Sequence, residues 1–284
     1  PPRLESLLSI LQYQGMDLVE PLAARKGLHP LVVPLAKDKN GDVIGLLRWP
    51  TPEEDLAMPL VRCGAVGLDL LASSIDHYTR RVAAEEDFRG TSTAGEAIRI
   101  ANGGDPPPLP PYEAGAVAKL GYGVERYLLL RVGPFPDAYE WLVQQHISKG
   151  DELSALAAAE RANELFRGWG RPYGSYARLL AAVGSRDMEA RDAARVALRC
   201  PCWGITPDAD ALAEVVRIAG YESMAAVRQL YTGMAADSQE GKITEGKAPQ
   251  QVALDRAAHL MDAVTFGHSS WDGIREELAE RYKE

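Results

Sequence analysis

Residues 173–201 read YGSYARLLAAVGSRDMEARDAARVALRCP, and this stretch decides the fold. Its first half places Tyr176, Leu179, Leu180 and Val183 at helical spacing and stops at Gly184. Its second half carries Ala190, Ala194 and Ala197 on one stripe, with Pro201 just beyond. Small residues at helical spacing let one helix settle close against another. The proline ends the second helix and turns the chain. A helical hairpin is predicted.

The segment before it repeats the plan. Phe135-Pro136-Asp137 opens a helix with proline in its first turn, and Tyr139, Leu142, Val143 and His146 follow before Gly150. A partner helix is expected over 151–166, and Gly168, Gly170 and Pro172 then turn the chain. A helix starting near Tyr173 comes next, and others are predicted at about 187–200, 208–219, 221–236, 248–265 and 270–283. The alanines of 190–197 closed by proline resemble the second half of a tetratricopeptide repeat. Ala194 stands where that repeat has an aromatic residue, the tryptophan and glycine of its first helix are missing, and the proline comes one residue early. The expected class is mainly α: a tetratricopeptide-like array of helical hairpins or an ordinary α-bundle, with a small N-terminal α+β module. Stacked hairpins present concave surfaces to other proteins.

The period changes near the N-terminus. Residues 3–27, with Leu4, Leu7, Leu8 and Leu11 at helical spacing, read as one helix or a pair closed by Gly27. Two β-rich runs, 31–35 and 43–49, then flank Asn40-Gly41. Asn-Gly between such runs predicts a hairpin over about 31–49, turning through type I′ geometry. Pro34 has no N–H to donate, so its strand should lie at an edge or pair late. Leu60-Val61-Arg62-Cys63 is a third possible strand, and 67–88 reads as a helix with Leu68, Leu71, Ile75, Tyr78 and Val82 on one face. The breaker at 101–111, with two glycines and five prolines, is expected to be a linker between a module at 1–100 and a helical domain at 112–284. Residues 124–132 fit strand or helix.

No familiar catalytic or ligand motif is complete. Gly241–Ala248 follows a P-loop as far as Gly246-Lys247, but alanine replaces the magnesium-binding hydroxyl. Cys200-Pro201-Cys202 has too short a spacing for a structural zinc pair, and His29, His77, His146, His259 and His268 are scattered. Asp255 and His259 share a helix face with no nucleophile placed beside them, and Ser269 or Ser270 reads as a helix cap. No catalytic, cofactor or metal residue is assigned. A net charge of −9 with mixed signs along the chain disfavours nucleic acid. Three cysteines give no disulfide framework, and no apolar run is long enough for a membrane helix. The chain opens Pro1-Pro2-Arg3 rather than with methionine, so any targeting segment would lie upstream.

Three blocks carry a resemblance: Gly45-Leu46-Leu47-Arg48-Trp49-Pro50-Thr51, residues 192–203 (DAARVALRCPCW), and residues 251–258 (QVALDRAA). They look like motifs of a family of nuclear-encoded chloroplast proteins of plants and green algae, in scattered blocks over about 30–270. That resemblance implies a chloroplast address and no particular reaction; a mitochondrial address is the alternative.

Two functions follow as expectations. The first is a non-catalytic scaffold, assembly factor or accessory subunit of a large organellar complex, reached through partner proteins and touching a membrane only through them. It calls for an exposed apolar or aromatic groove, with Tyr173, Tyr176, Trp169, Trp203 and Trp141 as candidate partner-binding residues. The second is an enzyme with a site between the two halves, which calls for a deep pocket of several perturbed acids or histidines.

Overall fold

The computed structural model describes residues 3–21, 24, 28, 32–48, 58–64, 67–103, 110–200, 209–223 and 226–227. The Gly241–Ala248 loop, the Asp255/His259 pair, Ser269, Ser270, Trp203, Cys202 and the helices expected beyond 227 lie outside these residues.

The N-terminal part is built on an antiparallel sheet of five strands in chain order: β1 (Asp17–Leu18), β2 (Val32–Lys37), β3 (Val43–Leu47), β4 (Leu60–Gly64) and β5 (Gly67–Ala72). The β2–β3 hairpin forms where Asn40-Gly41 places it, but through a different turn. Gly41 alone takes the left-handed conformation, at φ +86°, while Asn40 stays at negative φ. Its N–H donates to the Asp38 carbonyl at 2.9 Å. The Asp38 carboxylate accepts from the backbone N–H groups of Asn40 and Asp42 at 2.8 and 3.0 Å. Asp38 thus organises a type I turn closed by a glycine bulge, and a type I′ turn is not needed.

Pro34 sits where β2 has no β1 neighbour and where its register with β3 shifts before Ala36. The missing donor is thereby accommodated. Gly45 lies opposite, and a Cβ there would stand 2.6 Å from the Val33 carbonyl oxygen, so only glycine allows this close crossing.

Two expected helices are shorter than their spacing suggested. α1 covers Leu4–Tyr13 alone, and the chain turns at Gly15 into β1. The 67–88 segment divides: its first part is strand β5, which pairs with β4, and α2 (Ile75–Arg89) begins after Ser74. Leucines at 68 and 71 satisfy a helical stripe, but Leu68 and Leu70 bury one face of a strand. Ser74 accepts from the His77 N–H at 3.2 Å and so fixes where the helix starts.

α3 (Ala94–Asn102), α4 (Ala116–Leu120) and α5 (Val124–Tyr127) follow, and α5 runs into a π-helical turn over Leu128–Val132. Residues 124–132 are therefore helical rather than a strand. Arg3 caps the end of α3, donating to the Ala101 carbonyl at 3.1 Å and to that of Gly103. It pairs with Asp76 at 2.6 Å.

Beyond Phe135 the described residues form helical hairpins: α6 (Pro136–Ile147) with α7 (Glu152–Leu165), then α8 (Gly170–Val183) with α9 (Asp187–Arg199), and α10 (Ala209–Ile218) against α8 and α9. α8 starts three residues before Tyr173, because Arg171 and Pro172 occupy its first turn. The alanine stripe behaves as its spacing implied, with Ala190, Ala194 and Ala197 at 0–1% exposure between α8 and α9.

Three apolar clusters hold this together. One packs α1, α2 and α3 on the sheet face formed by Leu35, Ile44, Leu46 and Leu60, and extends to Tyr112, Val117, Leu128 and Phe135. A second fills the hairpin array around Leu156, Leu180, Leu198 and Val215. The third joins the two, with Val32, Leu47, Val61, Leu68 and Leu70 of the opposite sheet face meeting Ala162, Phe166 and Trp169.

Candidate functional site

α6, α8 and α10 line a groove of about 930 Å³, to which α7 adds the exposed Glu152 and the buried Ala159 and Ala162. On α6 the groove takes Asp137, Glu140, Trp141, Gln144 and Ile147, at offsets 0, 3, 4, 7 and 10. On α8 it takes Arg171, Ser175, Arg178 and Ala182, at offsets 0, 4, 7 and 11. Both are single helical faces. α10 contributes Ala211, Glu214 and Val215. The floor is aliphatic, from Val143, Leu179, Val183 and Val215.

Ion pairs tie the wall of the groove to the N-terminal sheet. Arg171 donates through Nε and Nη2 to the two oxygens of Glu140, both at 2.8 Å, and through Nη1 to Asp69 of β5 at 2.9 Å. Ser175 Oγ donates to Glu140 at 2.8 Å. A cation in the first turn of α8 opposes the helix dipole, and these two carboxylates offset it. Arg81 of α2 makes the matching link. It donates from Nη1 to Asp137 Oδ1 at 2.9 Å, again to Oδ2, and from Nε to Glu85 at 2.8 Å, while its guanidinium lies 5.0 Å over the Phe135 ring. At the rim, Arg178 pairs with Glu214 across α8 and α10 at 2.5 Å.

The protonation states agree with these links. Burial works against both arginine charges, but hydrogen bonds and the charges of their carboxylates outweigh it and hold Arg81 and Arg171 cationic. Burial also opposes charge on Asp137, yet Arg81, with Arg171 behind it, holds its carboxyl below the usual range. A carboxyl whose folded pKa is depressed contributes stability above its unfolded value, about 3.9, and loses it as pH falls through the folded value. Melting temperature should therefore drop as pH is lowered below about 4, and Asp137→Asn should flatten that part of the profile. An unchanged acid limb in a calorimetric pH series would count against this assignment.

This arrangement suits docking rather than acid–base chemistry, since Ser175 and the lining arginines are committed to carboxylates. Among the described residues no group of three or more His, Cys, Asp or Glu could hold a metal ion. Burial, with Asp42 adding to it, pushes the Cys63 thiol up to about 12, so it is no nucleophile. His77 packs within the N-terminal core, edge-on to Phe135, and His146 faces Asp151 at 3.4 Å.

The sequence candidates are not brought together. Trp141 lines the groove. Tyr173 and Tyr176 turn the other way, donating to the Asn163 carbonyl at 3.4 Å and to Glu160 of α7 at 2.9 Å. Burial, followed by that bond to Glu160, raises the Tyr176 hydroxyl to about 12. Trp169, 7% exposed, is buried against the sheet, so it anchors the two halves from inside and offers no face to a partner. The groove residues Glu140, Arg171, Arg178 and Glu214 were missed. The polar stripe at Arg171, Ser175 and Arg178, on the face of α8 away from its tyrosines, was the available signal.

Among the described residues, the hairpin array thus carries a groove of ion-paired carboxylates and arginines over an aliphatic floor. The chain is 37% identical, over 297 aligned residues, to the chloroplastic protein IN CHLOROPLAST ATPASE BIOGENESIS of Arabidopsis thaliana, with 100% of this chain and 83% of that protein covered. Family models match consecutively: PAB N-terminal at residues 1–131, PAB middle domain at 136–222 and PAB C-terminal domain at 227–284. The chain belongs to this family of chloroplast proteins, and its address is the chloroplast. No solved structure matches it. Among the described residues no helix is long and apolar enough to cross a membrane.

Proposed function

We propose that this protein is a non-catalytic assembly factor in the biogenesis of the chloroplast ATPase, and that it holds a partner protein in the groove of α6, α8 and α10. The observation that carries the reading is a relative named for that biogenesis, matched over the whole of this chain. The groove supplies the surface an assembly factor needs, as the concave side of stacked helical hairpins does in tetratricopeptide-like arrays. Of the aromatic candidates, Trp141 belongs to that surface.

In this reading the working unit is the hairpin array, and the sheet module is its support. We put their division near 133–135, a reading supported by the gap between the family models at 131 and 136, although the apolar cluster of the module continues across it to Ala138. Tyr112, Val117, Leu128 and Val132 then belong with the module rather than the array.

The test is native mass in a gentle chloroplast extract, with mass spectrometry of what co-migrates. Migration far above 30.8 kDa together with ATPase subunits is expected. Migration at the mass of the chain alone, across stages of ATPase assembly, would sink the reading.

A further inference from the structure

The groove also indicates what kind of segment it receives, an inference that rests on the scaffold reading above. Its lining carries four carboxylates, on Asp137, Glu140, Glu152 and Glu214, against two guanidiniums, on Arg171 and Arg178. The arginine that belongs to the wall is the deeper group: the Arg171 side chain is 18% exposed, whereas those of Glu140, Asp137 and Glu214 are 33–38% exposed. An incoming chain therefore meets these carboxylates together with the Arg178 guanidinium, 47% exposed at the rim, and the carboxylates outnumber it, each offering about four acceptor sites of which the arginines use some. The net charge of −9 would steer a cation toward them. Between the acids lies the aliphatic floor, and Trp141 presents an indole beside Gln144 and Ile147, where a lysine or arginine could lie over the ring.

Backbone chemistry selects the conformation of the occupant. The walls are helices, whose backbone donors and acceptors beyond the first turns are already used internally. An extended peptide would enter with unpaired N–H and C=O groups, at a cost for each. A helix satisfies its own. Two turns of a helix about 10 Å wide fill roughly 850 Å³, close to the 930 Å³ available.

We propose that the groove binds a basic amphipathic helix of a partner protein, with its apolar stripe on Ile147, Leu179 and Val183 and its lysines or arginines on Glu152, Glu214 and Trp141. The Arg178–Glu214 pair at the rim opens to admit it, and Glu214 exchanges one cation for another.

The test uses the full chain and a fluorescein-labelled leucine–lysine peptide of amphipathic helical pattern, about four turns long, beside its leucine–glutamate counterpart. Anisotropy is expected to show saturable binding of the lysine peptide, at least about tenfold tighter than the glutamate peptide. Glu152→Lys with Glu214→Lys should weaken it by about tenfold or more, while Glu96→Lys, at an exposed position of α3, stays within about twofold of the parent. Trp141→Ala changes no charge and should also weaken binding, which separates docking from bulk attraction; circular dichroism verifies that each variant is folded. Equal binding of the two peptides overturns the proposal. So does an equal loss from Glu96→Lys and from the groove variant. A chain that keeps its ATPase partners in extract but ignores the lysine peptide overturns the basic helix and leaves the scaffold reading standing. Migration alone at its own mass fails the scaffold reading instead.

Discussion

Trp169→Ala is expected to lower the unfolding free energy by about 3–5 kcal/mol, the range for emptying a buried tryptophan site. The indole is 7% exposed and fills the space between Phe166 and the sheet face of Val32, Leu47, Val61, Leu68 and Leu70. Neither half can follow the lost volume without breaking its own packing, because each is tied to a separate cluster. Urea titration should show the midpoint falling, with the array and the module losing structure at different concentrations. A loss under about 1 kcal/mol with a single shared transition would mean that this contact does not join the halves.

Arg171→Ala should have the next largest effect, about 2–4 kcal/mol. Removing it leaves Asp69 and Glu140 partly buried without their shared cation, and the repulsion that remains costs more than the lost attraction. The side chains concerned are 18–33% exposed, so water offsets part of the penalty and the value stays below that of a fully dry pair. Adding Asp69→Asn and Glu140→Gln to Arg171→Ala should recover part of the loss. That recovery distinguishes a charge effect from a packing effect, since uncharged isosteres restore no contact. If the triple variant is as unstable as the single one, the arginine acts through its aliphatic stem alone.

Several elements were open to reading from local chemistry. The α8–α9 hairpin follows from the stripe at Ala190, Ala194 and Ala197, and the β2–β3 hairpin from Asn40-Gly41; both signals sit within a few residues of what they build. The segment 67–72 reads as helix because Leu68 and Leu71 fit the helical period while Leu68 and Leu70 fit the strand period, and only pairing with β4 decides between them. Ser74, three residues before His77, marked the helix start. Of the candidate site, the concave surface was foreseeable from stacked hairpins, but its chemistry was not. Arg171 takes its meaning from Asp69, 102 positions away, and Glu140, 31 positions away. Trp169 reads either as an inter-helix anchor or as a candidate partner-binding residue because aromatic residues serve surfaces and interiors alike, and the sheet that buries it comes from the opposite end of the chain.

The doubly covered sheet has a practical consequence for experiments on parts of this protein. A fragment ending in the 101–111 stretch would keep the strands but lose Phe166 and Trp169. It would then present Val32, Leu47, Val61, Leu68 and Leu70 as one bare, oily face. Such patches adhere to unrelated proteins and to one another. Material captured by that fragment would report stickiness uncovered by the cut, and dividing the chain there would manufacture the very interactions it was meant to map.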